Sequence, residues 1–357
     1  VLVSKILQFT RLFLVGVLIG FFSQAKAQDI HFSQIGNSPM NLNPGLAGVF
    51  GGDMRFVFNY RNQWQSVPVS YSTFSASLEN KFYFKKDKKD PLHTKTLYNR
   101  YITGGIVFNH DKQGSLDLTS IQIGLPIALT LPVGKRIFMT GGILPKYAQR
   151  HFGTDGITVS NQWNGVEFDP NSPLGEPQLV QNTMIQYFDF SAGYNFRLQS
   201  LKKRSYFDYG VGGYHLNRPN HEFWTEQENI RLHQRYNTHF KGMLQISKSM
   251  DLYGQAIYQR QGGNQEVIYG IAGRLHLSPK RYNELAVLVG VNFRQLDDDA
   301  IAPYFEVYYR TWLLGFSYDM NSSDFNVATD RKGGPEVSLI YRLYRIKNLK
   351  YQSCSML

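Results

Sequence analysis

From Met54 onward the chain follows a two-residue period, and no other feature constrains its fold as tightly. Met54, Phe56, Phe58 and Tyr60 alternate with Arg55, Val57, Asn59 and Arg61. Such a period means a strand with one apolar and one mostly polar face. Phe74, Ala76, Leu78, Phe82 and Phe84 then oppose Ser75, Ser77, Glu79 and Lys81, and Ile102, Ile106 and Phe108 oppose Thr103 and Asn109. Ile121, Ile123, Leu125, Ile127 and Leu129 line up after a slip near Thr119-Ser120, which predicts a β-bulge there. Residues 135–150 form a less regular segment. The alternation is clearest at 183–198, where Phe188, Phe190, Ala192, Tyr194 and Phe196 oppose Tyr187, Asp189, Ser191, Asn195 and Arg197. Further segments centre on Tyr209, Phe240, 250–260, 267–278, Val289, Val307, Phe316 and Leu339. Gln261-Gly-Gly-Asn264 reads as a hairpin turn and Leu296-Asp-Asp-Asp299 as a charged one.

The count comes to about fourteen strands, an even number as a single-chain bacterial barrel requires. The fold expected is all-β, an antiparallel transmembrane β-barrel with an irregular N-terminal segment. Aromatic residues make up 15% of the chain, with 23 Tyr, 25 Phe and 32 Gly, as suits a wall that needs one apolar residue in two and interfacial aromatic girdles. The single cysteine, Cys354, excludes an intramolecular disulfide, so a closed strand ladder is left to hold an exported chain together. An Arg or Lys at the lipid midplane costs about 2–4 kcal/mol. The charged positions of the polar faces should therefore point into the lumen: Arg55, Arg61, Glu79, Lys81, Asp189, Arg197, Asp208, Lys241, Arg274, Glu284, Arg294, Glu306, Arg310, Asp319, Glu336 and Arg342. They either pair among themselves and fill the barrel or line a conduit or a pocket for a threaded segment.

The first 27 residues read as an address. Lys5 and Arg11 flank a basic region, 12–22 is nearly all apolar, and Ala25-Lys26-Ala27 has the form of a signal-peptidase site. That apolar core falls short of the roughly 20 residues of a spanning helix, so cleavage after Ala27 and export are expected. Residues 28–52 are dense in Asn, Ser, Pro and Gly, which suits an ordered but irregular lead-in or plug. The barrel then occupies 53–345 and a short tail 346–357.

The net charge is +11. Because the basic residues are mostly scattered along alternating segments, and the densest run, Lys85-Lys86-Asp87-Lys88-Lys89, lies between strands, nucleic acid is not an expected partner. Anionic lipid headgroups or an acidic partner suit the charge better. Two polar insertions, 152–182 and 218–229, read as large loops of the kind that face outward on such barrels. Trp163, Trp224 and nearby Tyr187 are candidate contacts for a folded partner, or part of a membrane-interface girdle. No Gly-x-Ser-x-Gly elbow and no His-Glu-x-x-His helix occurs. His233 and His239 fall short of a ligand set, and Asp297-Asp-Asp299 lacks calcium-loop spacing. No catalytic residue, metal or cofactor is expected.

Phe32-Ser33-Gln34, Asn43-Pro44-Gly-Leu-Ala47-Gly48 and Tyr60-Arg61-Asn-Gln63-Trp64 at the start resemble the PorP/SprF family of Bacteroidetes outer-membrane proteins. So do Tyr318-Asp319 and Gly333-Gly334-Pro-Glu336 near the end. The resemblance implies a role in type IX secretion and, in some members, gliding motility. It also implies partnership with the C-terminal domains of large secreted adhesins and with other secretion components, beside a separate translocon pore. The alternative is an outer-membrane transporter or porin for hydrophobic or small solutes, like the long-chain fatty-acid transporters, which also carry an Asn-Pro near the start.

Overall fold

Residues 29–63, 71–84, 100–114, 116–153, 162–163, 167, 169, 183–223, 230–278, 283–296, 300–321 and 332–345 are described by the computed structural model. The signal segment, Gln28, Trp64, the Lys85–Lys89 run, Trp224, Asp297–Asp299 and the 346–357 tail with Cys354 lie outside the described residues.

The alternating segments pair in chain order as one antiparallel sheet. Its strands are β1 (Met54–Gln63), β2 (Tyr71–Tyr83), β3 (Tyr101–Gln113), β4 (Leu118–Gly124), β5 (Ile127–Pro132), β6 (Ile137–His151), β7 (Met184–Gln199) and β8 (Tyr206–Tyr214). They continue with β9 (Arg235–Gln245), β10 (Met250–Gln261), β11 (Asn264–Ser278), β12 (Leu285–Leu296), β13 (Ala300–Tyr309), β14 (Trp312–Asn321) and β15 (Lys332–Leu343). β1 closes on β15, from Met54↔Leu343 to Arg61↔Glu336, so the sheet is a barrel without a free edge.

β4 and β5 are two halves of one stave, which makes fourteen staves from fifteen strands. Both pair with β3 on one side and β6 on the other, in the same register above and below the break. The break falls at Pro126, which has no N–H to give the ladder, and Leu125 N–H reaches the Pro145 carbonyl at 3.0 Å. The expected bulge at Thr119-Ser120 is absent: β3 pairs without a shift from Leu118 to Gly124. Thr119 and Ser120 are both buried, and that doublet in the sequence imitated a slip.

Side-chain direction follows the period. Phe188 is 75% exposed on the outer wall while its neighbour Asp189 is 3% exposed inside. Of the charges expected in the lumen, Glu284 and Arg310 are instead exposed on a rim turn, where the Arg310 N–H bonds the Glu284 carbonyl at 3.0 Å. The period that assigned them an inward face ends with the strands. Short connections at 133–136, 200–205, 246–249 and 310–311 share one end with the start of β1 and the finish of β15. The two longest connections, 152–183 and 215–234, lie at the other, together with the short 114–117 and 262–263, while 84–100 lies at the first; by the rule that the longest loops of such barrels face outward, the first end is periplasmic and the second extracellular. Trp312 packs on Tyr341 at 4.4 Å between ring centres near the periplasmic end, as an interfacial girdle would.

Residues 29–52 run down the inside of the barrel. Asp29 N–H meets Gln261 Oε1 at the outer end of β10 (3.2 Å), and Asp53 N–H meets the Leu343 carbonyl at the periplasmic end (2.8 Å). The central core lies between this segment and the wall, with Ile35, Met40, Leu42, Leu46 and Ala47 packed on Val107, Ala128, Leu144, Tyr214, Ile257 and Ile268.

Candidate functional site in the plugged lumen

The plug is a chain of short turns, each stabilised locally. Pro39 opens one turn of α-helix, Pro39–Leu42, and Pro44 opens a 3-10 turn, Pro44–Leu46; proline there forfeits an N–H that would have no partner in any case. Asn43 caps the second turn, its Oδ1 accepting the Gly45 N–H at 2.8 Å while its Nδ2 donates to the Tyr194 carbonyl at 3.0 Å. This Asn-Pro-Gly turn sits on a floor of inward-facing glycines from β6, β7 and β8. A Cβ on Gly142 would lie 2.2 Å from the Pro44 carbonyl oxygen, and one on Gly193 1.8 Å from Asn43 Oδ1. Gly48 has a φ of +78° and a Cβ there would meet Thr103 Oγ1 at 2.1 Å, so this position excludes other residues twice over.

Gly142→Ala forces the plug backbone off its floor and is expected to destabilise the protein by about 1–3 kcal/mol. Gly141→Ala, on the outer wall with nothing within 4 Å, is the control and should stay within about 0.5 kcal/mol. Guanidinium unfolding midpoints in detergent check the pair; equal midpoints would remove the close contact.

Charged side chains fasten the plug at three levels. At the outer mouth Asp29 Oδ2 meets His215 Nε2 at 2.6 Å, and His215 Nδ1 meets Asp189 at 3.0 Å. Lys146 holds Asp189 at 2.8 Å and Arg235 approaches Asp29 at 3.6 Å. Burial opposes charge on His215, yet the Asp29 and Asp189 carboxylates raise its pKa above the ordinary 6.5. Burial likewise opposes charge on Asp29, but His215 and Arg235 hold its carboxyl well below the usual range. His31, just inside, is driven the other way by burial and by Arg61 and Arg294, so it stays neutral.

At mid-depth the Glu336 carboxylate accepts two consecutive backbone N–H groups, Ser33 at 2.7 Å and Gln34 at 2.8 Å. Arg61 donates Nη1 to the His31 carbonyl at 2.8 Å and pairs through Nη2 with Asp319. Arg294 donates to Ser33 Oγ at 2.8 Å and pairs with Glu266 at 2.7 Å. Asn37 bridges Gln34 and Glu306, at 3.0 and 2.8 Å. Lower down Glu79 takes the Gly48 N–H at 3.0 Å and a bidentate grip from Arg55, while Lys81 bonds the Phe50 carbonyl at 2.5 Å and lies over the Phe50 ring.

The residues singled out in the sequence divide by face. Phe32, Ser33, Gln34, Asn43, Pro44, Ala47, Gly48, Arg61, Asp319 and Glu336 are buried and meet in or around the plug. Tyr60 and Tyr318 point outward at 38% and 36% exposure, and Gln63 is half-buried at the end of β1. Trp163 is 56% exposed, whereas Tyr187 is 9% exposed with its ring edge-on to His221 at 5.7 Å. His215 and the glycine floor were missed. Glycines recurring at the inward phase of three neighbouring strands were the available signal for the floor.

Fold and lumen together define a class, an outer-membrane β-barrel whose bore is filled by its own N-terminal segment. The family model for type IX secretion system membrane protein PorP/SprF matches residues 24–341. The chain belongs to that family. No curated protein matches it in sequence. Among solved structures it resembles the toluene transporter TbuX of Ralstonia pickettii, at 10% identity over 87% of this chain and 94% of that one, with a TM-score of 0.50. The monoaromatic hydrocarbon channel CymD aligns at 10% identity over the same shares, with a TM-score of 0.49. At such identity the likeness is one of fold.

Proposed function

We propose that this barrel assists the secretion or surface attachment of a large adhesin-type cargo of the type IX system, with a link to gliding motility, by docking the C-terminal domain of the cargo at its outer loops. Its membership of the PorP/SprF family supports the setting. The observation that carries the reading is the plug itself: a bore occupied from Asp29 to Phe50 and fastened at three depths leaves no room for a polypeptide. Cargo must then pass by another pore and meet this protein from outside. Export through cleavage after Ala27 places the barrel in the outer membrane among lipid and other secretion components. Transport of hydrophobic solutes suits the interior less well, because the apolar part of the plug–wall interface is packed core and the rest carries ion pairs such as Arg61–Asp319, Arg55–Glu79 and Lys146–Asp189.

The outer loops supply the docking groups, with exposed Trp163 as one anchor, Trp224 as a second and Tyr187 supporting the mouth from beneath. Truncating a tryptophan anchor typically costs 2 kcal/mol or more, roughly a thirtyfold loss of affinity. In cells, deleting 152–182 should release the adhesin into the medium, and Trp163→Ala should weaken capture of its C-terminal domain by purified barrel about thirtyfold. Unchanged retention and capture in both variants would remove these loops from the mechanism.

A further inference from the structure

Between the lower half of the plug and the wall, toward the periplasmic end, the lumen keeps a polar chamber of about 110 Å³, room for several water molecules. Its walls carry five cations, Arg55, Arg197, Lys241, Arg274 and Arg342, against the two acids Asp208 and Glu306.

Strand register explains the excess. Asp208 lies opposite both Arg197 and Lys241, and Arg197 takes it with bonds of 2.7 and 2.6 Å. Lys241 is left with the Gly36 carbonyl at 3.3 Å. Asp251 lies opposite Arg274 but is held by Arg204 at 2.8 Å and His276 at 2.7 Å. Arg274, 8% exposed, is left with the Met243 sulfur at 3.6 Å and the Tyr308 ring at 4.0 Å. Arg342 faces another cation, Arg55, whose own counter-charge is Glu79.

Among the described residues none of Lys241, Arg274 and Arg342 has a carboxylate within 4.0 Å. Arg274 Nε, Arg342 Nε and the Tyr304 hydroxyl are buried without a hydrogen-bond partner. Buried cations left unpaired are strongly unfavourable, and guanidinium groups bind tetrahedral oxyanions with two N–H groups at once.

We propose that this chamber is a binding site for a soluble phosphate-type dianion entering from the periplasmic end. Lys241, Arg274 and Arg342 set against Glu306 leave a surplus of two positive charges, which a dianion offsets and a single carboxylate does not. Arg274 and Arg342 supply the forks, Lys241 the point charge and Tyr304 a neutral donor. The plug forms the roof through Gly36 and Asn37 and one side through Leu46, Val49 and Phe50, so an occupied chamber also steadies the segment that lines it.

The test is calorimetric titration of the purified full-length barrel in detergent, at fixed ionic strength in chloride, with inorganic phosphate, with succinate and with dihexanoyl phosphatidic acid. Phosphate is expected to bind one-to-one and at least tenfold more tightly than succinate. Arg274→Met and Arg342→Met should each weaken it at least tenfold, while Arg310→Met, on the exposed rim, leaves it unchanged. If Arg274→Met does not fold, as judged by heat-modifiable gel mobility, Arg342→Met decides. No saturable phosphate binding, equal binding of succinate, binding of the lipid alone, or equal weakening by Arg310→Met would each overturn the assignment.

Discussion

Replacing Arg61 by methionine is expected to lower the unfolding free energy by about 3–5 kcal/mol, the usual cost of removing one partner from a buried ion pair. Arg61 is 1% exposed and sits where the two ends of the chain meet. Its guanidinium binds the His31 carbonyl of the plug, the Asp319 carboxylate of β14 and, at 3.9 Å, the Glu336 carboxylate of β15. Methionine keeps most of the stem and leaves two carboxylates without their main counter-charge in a site closed to water. Arg294 reaches Asp319 only at 3.8 Å and is already engaged by Glu266, so it offers partial relief. The double variant Arg61→Met, Glu336→Gln should lose less than the two single changes summed, because the second change removes one of the stranded charges. Reversible guanidinium unfolding in detergent measures all three variants. An Arg61→Met barrel within about 0.5 kcal/mol of the parent would mean that the mid-depth network does not hold the plug.

Deletion of residues 29–50 should turn a silent barrel into a conducting one. Eight strands enclose a bore that side chains fill, while sixteen to eighteen leave an aqueous channel. Fourteen staves fall between, wide enough that this chain needs a separate segment to fill the space. Every ladder bond of the wall, including closure of β1 on β15, survives the deletion. The wall charges that faced the plug, such as Glu336, Glu79 and Asp189, are then hydrated instead of buried. Planar-bilayer recordings are expected to show discrete, stable conductance steps for the deleted form and none for the intact one. Equal conductance from both would show that the plug does not seal the bore, and a path through the barrel would return as a contender.

Which side of the wall each residue faces was legible in advance because alternation is local: neighbours on a strand diverge whatever lies beyond. Arg55, Glu79, Asp189 and Arg294 went inward as expected, while Glu284 and Arg310 did not, since their period ended one residue too soon. The fourteen staves were likewise countable, and Pro126 interrupts one of them without shifting its register. The site was only half legible. Arg61, Asp319 and Glu336 stood out as family motifs at opposite ends of the chain, but nothing local to any of them says that they share a carboxylate network around Ser33 and Gln34.

What the sequence by itself determined is a closed wall with lipid outside and charge inside, because a two-residue period and the cost of charge in hydrocarbon leave no other arrangement. What only the tertiary structure decided is that residues 29–52 thread that wall, which carboxylate serves which guanidinium, and where positive charge is left over. Ser33 and Glu336 are 303 residues apart in the chain and 2.7 Å apart in space. Such contacts depend on ring closure and register, which are properties of all fourteen staves at once and of no single segment.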